Sequence, residues 1–351
     1  MPTFQLMSTR CTTSSTFPKA PRILAVCLNP AWQKTLVFPH VTAGAVNRAE
    51  EMRECGGGKG VNLARALVLR GDAVAVALFA GGTTGAALLE ELARTGVDTL
   101  AVSTSVATRV CTSVVDRKQS QVTELIEPSG RITDSELARM RTLLADEAPR
   151  AAGVAICGTC PPGVPDTLYI AVAESAQNAG IPVLLDGYRN VSGILEGPGV
   201  DILKINADEL RALSGCDDLQ NAAEHCLKHF RISWLAITDG KHPAWLFGAD
   251  SAWRIPQPNL RVVNAIGAGD CCSGVFLRAF LECAAVASDA AVADAFARAL
   301  ACANATCLTN IPASFRKDDL HQLEKLLRPE RMPWPRNGES EPSFCECARD
   351  N

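Results

Sequence analysis

Residues 264–274, NAIGAGDCCSG, combine two groups that could act in one reaction. Gly267, Ala268 and Gly269 are small enough to let backbone N–H groups converge where a loop opens into a helix, and such a helix start attracts anions. The next residue is an acid, Asp270, whose ordinary pKa is about 4. It is either a first-turn acid, favoured by the helix dipole by ~0.3–1 kcal/mol, or a base that accepts a hydroxyl proton while the N–H groups stabilise a transferred group.

A second glycine-rich stretch, CGGGKGVN at 55–62, stands before a helical pattern. It does not fit the P-loop, because Lys59 is followed by Gly60 and not by Ser or Thr, and it does not fit the dinucleotide fingerprint either. A flexible backbone at a helix start beside a cation favours a phosphate or a polyhydroxylated ligand. The alternative is a tight turn without a functional role.

A third stretch, KINADEL at 204–210, ends an apolar strand. Asn206 and Glu209 are three residues apart, so on a helix they share one face and would reach toward the strand ends, where open α/β sheets bind ligands. The same spacing suits a capping box, with Asn206 as N-cap and Glu209 at the third helical position. By spacing alone, the capping box is the better interpretation.

The elements that must position these residues alternate between short apolar β-type runs and helical stretches from Arg22 onward. Strands that are apolar on both faces predict a doubly wound α/β fold, a mostly parallel sheet with helices on both sides. Two stretches, about 35–53 and 109–126, hold strands with polar partners and no immediate helix. They predict a small β-sheet that stands off the main domain as a lid and excludes water from the site.

Composition excludes several classes of function. The formal net charge is −4 and there is no stripe of Lys and Arg interleaved with aromatic residues, so nucleic acid is not an expected partner. No stretch has the ~18 uninterrupted apolar residues of a membrane span. Most of the fifteen cysteines stand singly in apolar runs, which fits reduced thiols in a cytoplasmic protein.

The ends of the chain differ from its middle. Residues 1–21 are rich in Ser and Thr but lack the apolar core of a secretory signal, so we predict a disordered extension, with a transit peptide as the alternative. Residues 22–328 are predicted to form the folded domain. The polar segment 329–351 is predicted to be a frayed C-terminal tail.

In this order, the stretches resemble the PfkB (ribokinase-like) carbohydrate kinases. GGGKGVNLARAL is similar to the first family signature and NAIGAGDCCSGVF to the second. LNPAWQKTL near the N-terminus, TR at 108–109, GTCPPG at 158–163 and KINADEL look most like the 1-phosphofructokinase and tagatose-6-phosphate kinase branch. The resemblance implies a ribokinase-like fold and phosphorylation of a sugar phosphate with ATP and magnesium.

The resemblance also implies roles for the matching residues. Asp270 would take the proton from the sugar hydroxyl, and the anion hole for the γ-phosphate would consist of Gly267, Ala268 and Gly269. The sugar would be contacted by Gln33, Gly57, Gly58 and Asn62. The phosphate that the sugar already carries would be held by Lys59 and Arg109. The nucleotide would lie at Lys204, Thr238, Gly240 and Asn304, and magnesium and the phosphates would be ordered by Asn206 and Glu209.

Four positions depart from the pattern of the branch. Gln33 stands where the branch usually has an aspartate that holds sugar hydroxyls, and glutamine can donate as well as accept, so the recognised hydroxyl pattern is expected to differ. Cys111 replaces an asparagine, which removes a polar contact. Asn264 and Ala265 replace the commoner Asp-Thr pair, so dependence on a monovalent cation stays open.

The favoured function is an ATP-dependent kinase of fructose 1-phosphate with Asp270 as general base. Tagatose 6-phosphate, fructose 6-phosphate and a free sugar or nucleoside are alternative substrates, although two cations, Lys59 and Arg109, suit a substrate phosphate. A catalytically silent sugar sensor is an alternative from another class. A nicotinamide oxidoreductase lacks the required fingerprint. A homodimer through the lid is left open.

Overall fold

The structure is a computed structural model that describes residues 21–119, 121–283 and 288–334. Within these ranges the chain forms fourteen strands and ten α-helices. The strands are β1 (Ile23–Val26), β2 (Ala31–Phe38), β3 (Glu51–Gly57), β4 (Val74–Gly81), β5 (Asp98–Thr104), β6 (Val110–Asp116), β7 (Gln121–Ile126), β8 (Gly153–Cys157), β9 (Val183–Asp186), β10 (Val200–Asn206), β11 (Ile232–Thr238), β12 (Ala244–Phe247), β13 (Ala252–Ile255) and β14 (Glu330–Met332).

The helices are α1 (Lys59–Arg70), α2 (Gly82–Arg94), α3 (Asp134–Glu147), α4 (Thr167–Asn178), α5 (Ser192–Glu196), α6 (Ala207–Ser214), α7 (Leu219–His229), α8 (Ala268–Cys283), α9 (Asp289–Thr306) and α10 (Lys317–Leu326). None of the helices in the described ranges is both long and apolar enough to cross a membrane. Residues 1–20 of the predicted N-terminal extension and residues 335–351 of the predicted tail lie outside the described residues.

The large sheet has ten strands in the order β14-β13-β12-β11-β10-β9-β8-β1-β4-β5. Seven neighbouring strands of this sheet are parallel to one another: β11, β10, β9, β8, β1, β4 and β5. The remaining three, β12, β13 and β14, are added antiparallel at the edge beside β11. Alternate residues of β1 pack into two separate cores, Ala25 against α1, α8 and α9 and its neighbours Leu24 and Val26 against α3 and α4. The predicted doubly wound α/β fold is therefore confirmed.

A separate sheet of four strands has the order β3-β2-β6-β7. β2 and β3 extend beyond the predicted 35–53, because Ala31 pairs with Gly57 at the base of the sheet, whereas β6 and β7 lie within the predicted 109–126. Gln33 and Gly57 therefore belong to this sheet. Every residue of β7 is exposed, as expected for a strand with little cover.

The C-terminal boundary also lies further along the chain than predicted. Residues Glu330–Met332 form β14, which pairs antiparallel with β13, and Glu330 makes an ion pair of 2.8 Å with Arg254. Trp334 then packs on Phe247, with ring centroids 4.7 Å apart. Apolar side chains within an otherwise polar segment thus extend the fold beyond residue 328.

Candidate active site

The predicted site residues of the two glycine-rich stretches come together at the carboxyl ends of parallel strands. The start of α1 and the start of α8 pack against each other beside β9. The neighbouring strand β10 ends at Asn206, and β9 ends at Asp186. Ligands of open α/β sheets bind at this edge.

Asn62 and Asp270 form a direct pair at this edge, in which Asn62 Nδ2 donates to Asp270 Oδ2 over 2.8 Å. Gly267 borders the pair in a left-handed conformation with φ of 80°. A Cβ at Gly267 would lie 3.2 Å from Asn62 Nδ2 and 3.2 Å from the Ala313 backbone nitrogen. Glycine at this position therefore leaves the space beside the carboxylate open for a ligand.

The surroundings of Asp270 make it a stronger base than an ordinary aspartate. Burial and the nearby Asp186 carboxylate raise its pKa to about 6, although Lys59, Lys204 and the hydrogen bond from Asn62 act in the opposite direction. The group is still mainly ionised at neutral pH, and a pKa close to the working pH suits a general base.

Lys59 lies among carboxylates. Its Nζ is 2.6 Å from Asp186 Oδ1 and 3.7 Å from Glu209 Oε1. Burial alone would lower the pKa of Lys59, but Asp186, Asp270 and Glu209 together raise it above its usual range. The ammonium group is therefore a fixed positive charge at the centre of the site.

Asp186 is a site residue that sequence reasoning missed. Its side chain is 1% exposed and also accepts a hydrogen bond from the Ser273 hydroxyl. Burial would raise its pKa, but Lys204 and Lys59 hold the pKa below its usual value. A polar residue that ends an apolar strand, IPVLLD, was the available signal.

The proposed nucleotide residues occupy different environments. Lys204 is 5% exposed and approaches the glycine loop of residues 267–269, with its Nζ 2.9 Å from the position that a Cβ on Gly269 would take. Thr238 ends β11 in register with Asn206, and Gly240 follows in a turn. Asn304 donates to Gln257 and to the Leu300 carbonyl, so only its amide oxygen is left for a ligand.

Asn206 and Glu209 form the capping box that their spacing favours. Asn206 Oδ1 accepts from the Glu209 backbone N–H over 2.8 Å, and Glu209 Oε2 accepts from the Asn206 N–H over 2.9 Å. The cap uses one carboxylate oxygen, and the other, Oε1, faces Lys59. The same residues can therefore cap α6 and contribute charge to the site.

A second cluster surrounds Arg109. Its Nη2 donates to the Asn29 carbonyl over 3.1 Å, while its buried Nε has no hydrogen-bond partner in the part of the chain that the structure describes. Asn29 also accepts from Ser129 over 2.8 Å and donates to Thr159 over 3.4 Å. An unpaired buried guanidinium N–H beside hydroxyl groups is a suitable site for an anionic ligand.

Of the residues expected to contact the sugar, Asn62 belongs to the first cluster, and Gln33, Gly57 and Gly58 lie where β2, β3 and α1 meet. Gly58 is the N-cap of α1, with φ of 117°, and packs on Cys27 and Pro30. A Cβ on Gly57 would lie 2.8 Å from Gln33 Oε1. The two glycines thus let the chain between β3 and α1 lie close to Gln33, Cys27 and Pro30.

Comparison with known proteins then identifies the family. The family model of the pfkB carbohydrate kinases matches residues 27–314. The chain belongs to this family. It is therefore a carbohydrate kinase, a phosphotransferase acting on a sugar hydroxyl, and its family uses ATP.

A 1-phosphofructokinase of Rhodobacter capsulatus is 33% identical over 256 residues, which cover 71% of this chain and 80% of the relative. Among solved structures, phosphofructokinase-2 from Escherichia coli in complex with fructose-6-phosphate has a TM-score of 0.77 at 22% identity, covering 88% of this chain and 99% of the other. A possible 1-phosphofructokinase from Thermotoga maritima has a TM-score of 0.77 at 21% identity, covering 89% and 100%. These structures confirm the ribokinase-like fold.

Proposed function

We propose that the protein transfers the γ-phosphate of ATP to a hydroxyl of fructose 1-phosphate, with Asp270 as the general base. The observation that carries this proposal is the position of Asp270. It pairs with Asn62 at the start of α8, directly after the glycine loop, and its pKa is raised to about 6. The similarity to a 1-phosphofructokinase supports the choice of substrate.

In this proposal the two ends of the transfer are handled by different groups. Asp270 accepts the hydroxyl proton, while the backbone N–H groups of Gly267, Ala268 and Gly269 receive the γ-phosphate at the positive end of the α8 dipole. Lys59 and Lys204 neutralise the charge of the transferred group. Phosphoryl transfer depends mainly on such positioning and neutralisation.

Magnesium fits the residues present. Glu209 Oε1 is not used by the capping box, and carboxylate oxygens are the ligands that Mg²⁺ prefers. Among the described residues, no group of three side chains of the His, Cys, Asp and Glu type could hold a metal by itself. An ion that keeps several waters and binds the ATP phosphates needs only one or two carboxylates from the protein. Asn206 and Glu209 would order this ion, which neutralises the phosphate charge when bound.

The phosphate that the substrate already carries is assigned mainly to Arg109. Among the described residues its buried Nε has no partner, Asn29 and Ser129 line the same pocket as Arg109, and Thr159 is bonded to Asn29. Lys59 is engaged by Asp186, so it would contact that phosphate only after leaving this ion pair. Gln33, Gly57, Gly58 and Asn62 would contact the sugar between the two phosphates.

ADP release with a panel of acceptors tests the substrate. We expect the largest kcat/KM for fructose 1-phosphate, followed by fructose 6-phosphate, tagatose 6-phosphate and free hexoses. Arg109→Gln should lower kcat/KM for the sugar phosphate by ~10²-fold, because a charged hydrogen bond contributes about 1.5–3 kcal/mol, and should leave use of a free hexose within about threefold. Equal losses on both acceptors would contradict a phosphate site at Arg109. Ligand-induced thermal shifts without ADP formation would instead favour the sensor.

We further propose that the chain works in a reducing, cytoplasmic compartment and forms a homodimer through the small sheet. The twelve cysteines in the described ranges are all free thiols. One face of the small sheet carries Leu36, Val114 and Met52 in a row, with Leu125 beside them. Met52 is 61% exposed and Leu125 57%, which leaves an apolar face for a second copy to cover.

A further inference from the structure

Gln33 lies at the base of the small sheet and is 7% exposed. Its side-chain amide has two different ends, because Oε1 accepts hydrogen bonds and Nε2 donates them. The end that faces the ligand therefore decides which kind of hydroxyl interaction the residue can make. An amide orientation is meaningful only where the hydrogen-bond network determines it.

A chain of three side chains determines it here. Gln33 Nε2 donates to Ser113 Oγ over 3.2 Å, and Ser113 Oγ donates to Glu124 Oε1 over 2.9 Å. A carboxylate can only accept, so the single hydroxyl hydrogen of Ser113 must be directed to Glu124. Ser113 then offers only lone pairs to Gln33, and only the NH₂ end of the amide can face Ser113.

The opposite end of the amide faces the start of α1. A Cβ on Gly57 would lie 2.8 Å from Gln33 Oε1, so the glycine leaves this oxygen uncovered. Gly57 is followed by Gly58 and Lys59, and α1 then carries Asn62, which bonds Asp270. Gln33 Oε1 therefore lies on the side where the proposed sugar would bind.

We propose that Ser113 and Glu124 are positioning residues that fix Gln33 as a hydrogen-bond acceptor for a sugar hydroxyl. The inference rests on the proposed sugar site. It also changes the expectation that glutamine at this position alters the hydroxyl pattern. An amide whose NH₂ end is held by Ser113 presents an oxygen to the ligand, as the aspartate of the related kinases would.

Glu124→Gln tests the proposal, because a side-chain amide at position 124 can donate to Ser113. Ser113 is then free to donate to Gln33 Oε1, and the amide of Gln33 can turn its NH₂ end to the sugar. The KM for the sugar should rise about five- to tenfold, the usual scale for one lost hydrogen bond, while kcat and the KM for ATP stay within twofold. Glu127→Gln is the matched control, since Glu127 accepts from the Val110 N–H and not from Ser113.

Repeating the test in the Gln33→Glu protein separates the orientation of the Gln33 amide from other effects of Glu124→Gln. In Gln33→Glu both side-chain oxygens accept, so adding Glu124→Gln should cause no further rise in the sugar KM. Ser113→Ala, which also releases the amide, should raise the sugar KM by a smaller factor than Glu124→Gln.

An unchanged sugar KM in both Glu124→Gln and Ser113→Ala would overturn the proposal. An equal rise from Glu124→Gln in the wild-type protein and in the Gln33→Glu variant would overturn it as well. The assays use whichever acceptor the wild-type protein phosphorylates best. A failure of fructose 1-phosphate as substrate is therefore seen in the acceptor panel. It is distinct from a failure of Ser113 and Glu124 to position Gln33.

Discussion

Two side-chain amides in the site, Gln33 and Asn62, are each held by a hydrogen-bonded side chain that in turn donates to a glutamate. We call each of these two chains of hydrogen bonds a relay. Gln33 reaches Glu124 through the Ser113 hydroxyl. Asn62 reaches Glu91 through Arg65, which donates to Asn62 Oδ1 over 3.4 Å and to Glu91 Oε2 over 2.5 Å. One amide presents its oxygen toward the proposed sugar, and the other presents its nitrogen to Asp270.

The two relays differ in the group at their centre. A hydroxyl can donate in either direction, so the orientation of Gln33 depends on Glu124, an exposed residue on β7. A guanidinium only donates, so Arg65 forces the oxygen of Asn62 toward itself and leaves the NH₂ group for Asp270. The direction of the hydrogen bond at the proposed base is thus fixed by residue type, whereas the one at the sugar can be reversed by a single surface substitution.

Removing the base gives the largest expected effect. Asp270→Asn keeps the size of the side chain but cannot accept a proton from the hydroxyl, so kcat should fall by ~10²–10⁴, the usual scale for loss of a general base. Binding of ATP and sugar, measured by calorimetry, should stay within a few-fold. An unchanged kcat would return Asp270 to the role of a first-turn acid.

The raised pKa of Asp270 adds a pH signature to the same variant. Wild-type kcat/KM should fall as the pH drops below about 6, because the carboxylate becomes protonated. The pKa of this carboxyl is about 6 in the folded protein, above its ordinary value of 3.8, so ionisation destabilises the folded state. The Tm advantage of Asp270→Asn over wild type should therefore grow between about pH 4 and about pH 6 and then level off.

Breaking the Arg65 relay should have the next largest effect. Arg65→Met leaves Glu91 buried without its cation, which costs about 3–5 kcal/mol of stability, and it releases the amide of Asn62. We expect kcat to fall about tenfold, on the scale of one or two hydrogen bonds. The acid limb of the pH profile should move upward, because the bond from Asn62 lowers the pKa of Asp270.

A double variant separates stability from orientation. Adding Glu91→Gln to Arg65→Met removes the unpaired charge and keeps an acceptor for the Gly56 N–H, which Glu91 binds over 3.3 Å. Most of the lost Tm should return, while kcat and the shifted acid limb should not. Recovery of both Tm and kcat would mean that Arg65 acts on stability alone.

The smallest expected effect lies at the other relay. Glu124→Gln should change the free energy of unfolding by less than ~0.5 kcal/mol, because exposed substitutions seldom do more. Urea denaturation of this variant beside Arg65→Met measures the contrast directly. A loss of several kcal/mol in Glu124→Gln would show that the exposed relay also supports the fold. The two relays would then no longer differ in their contribution to the free energy of unfolding.

Much of the fold and part of the site could be predicted from local sequence. Apolar runs that alternate with amphipathic helices indicated the doubly wound sheet, and the glycine-rich stretches marked the helix starts that meet at Asp270 and Asn62. Asp186 was within reach, since it is a polar residue at the end of an apolar strand. These features depend on a few neighbouring residues, which a sequence displays directly.

The relays could not be found in that way. Gln33 meets Ser113 only because β2 pairs in parallel with β6, and Ser113 meets Glu124 only through the register of β6 with β7. Arg65 and Glu91 are charged residues on otherwise buried helix faces, and spacing does not reveal that the two helices bring them together. Such contacts depend on register and helix packing between distant segments.

The short strand β14 has a consequence for the order of folding during synthesis. It is made after every other strand of the large sheet, yet it covers the free edge of β13. Until residues 330–332 have left the ribosome, β13 keeps a row of unpaired N–H and C=O groups that another chain could join. Pairing of β14 thus covers an edge at which a second chain could otherwise add to the sheet.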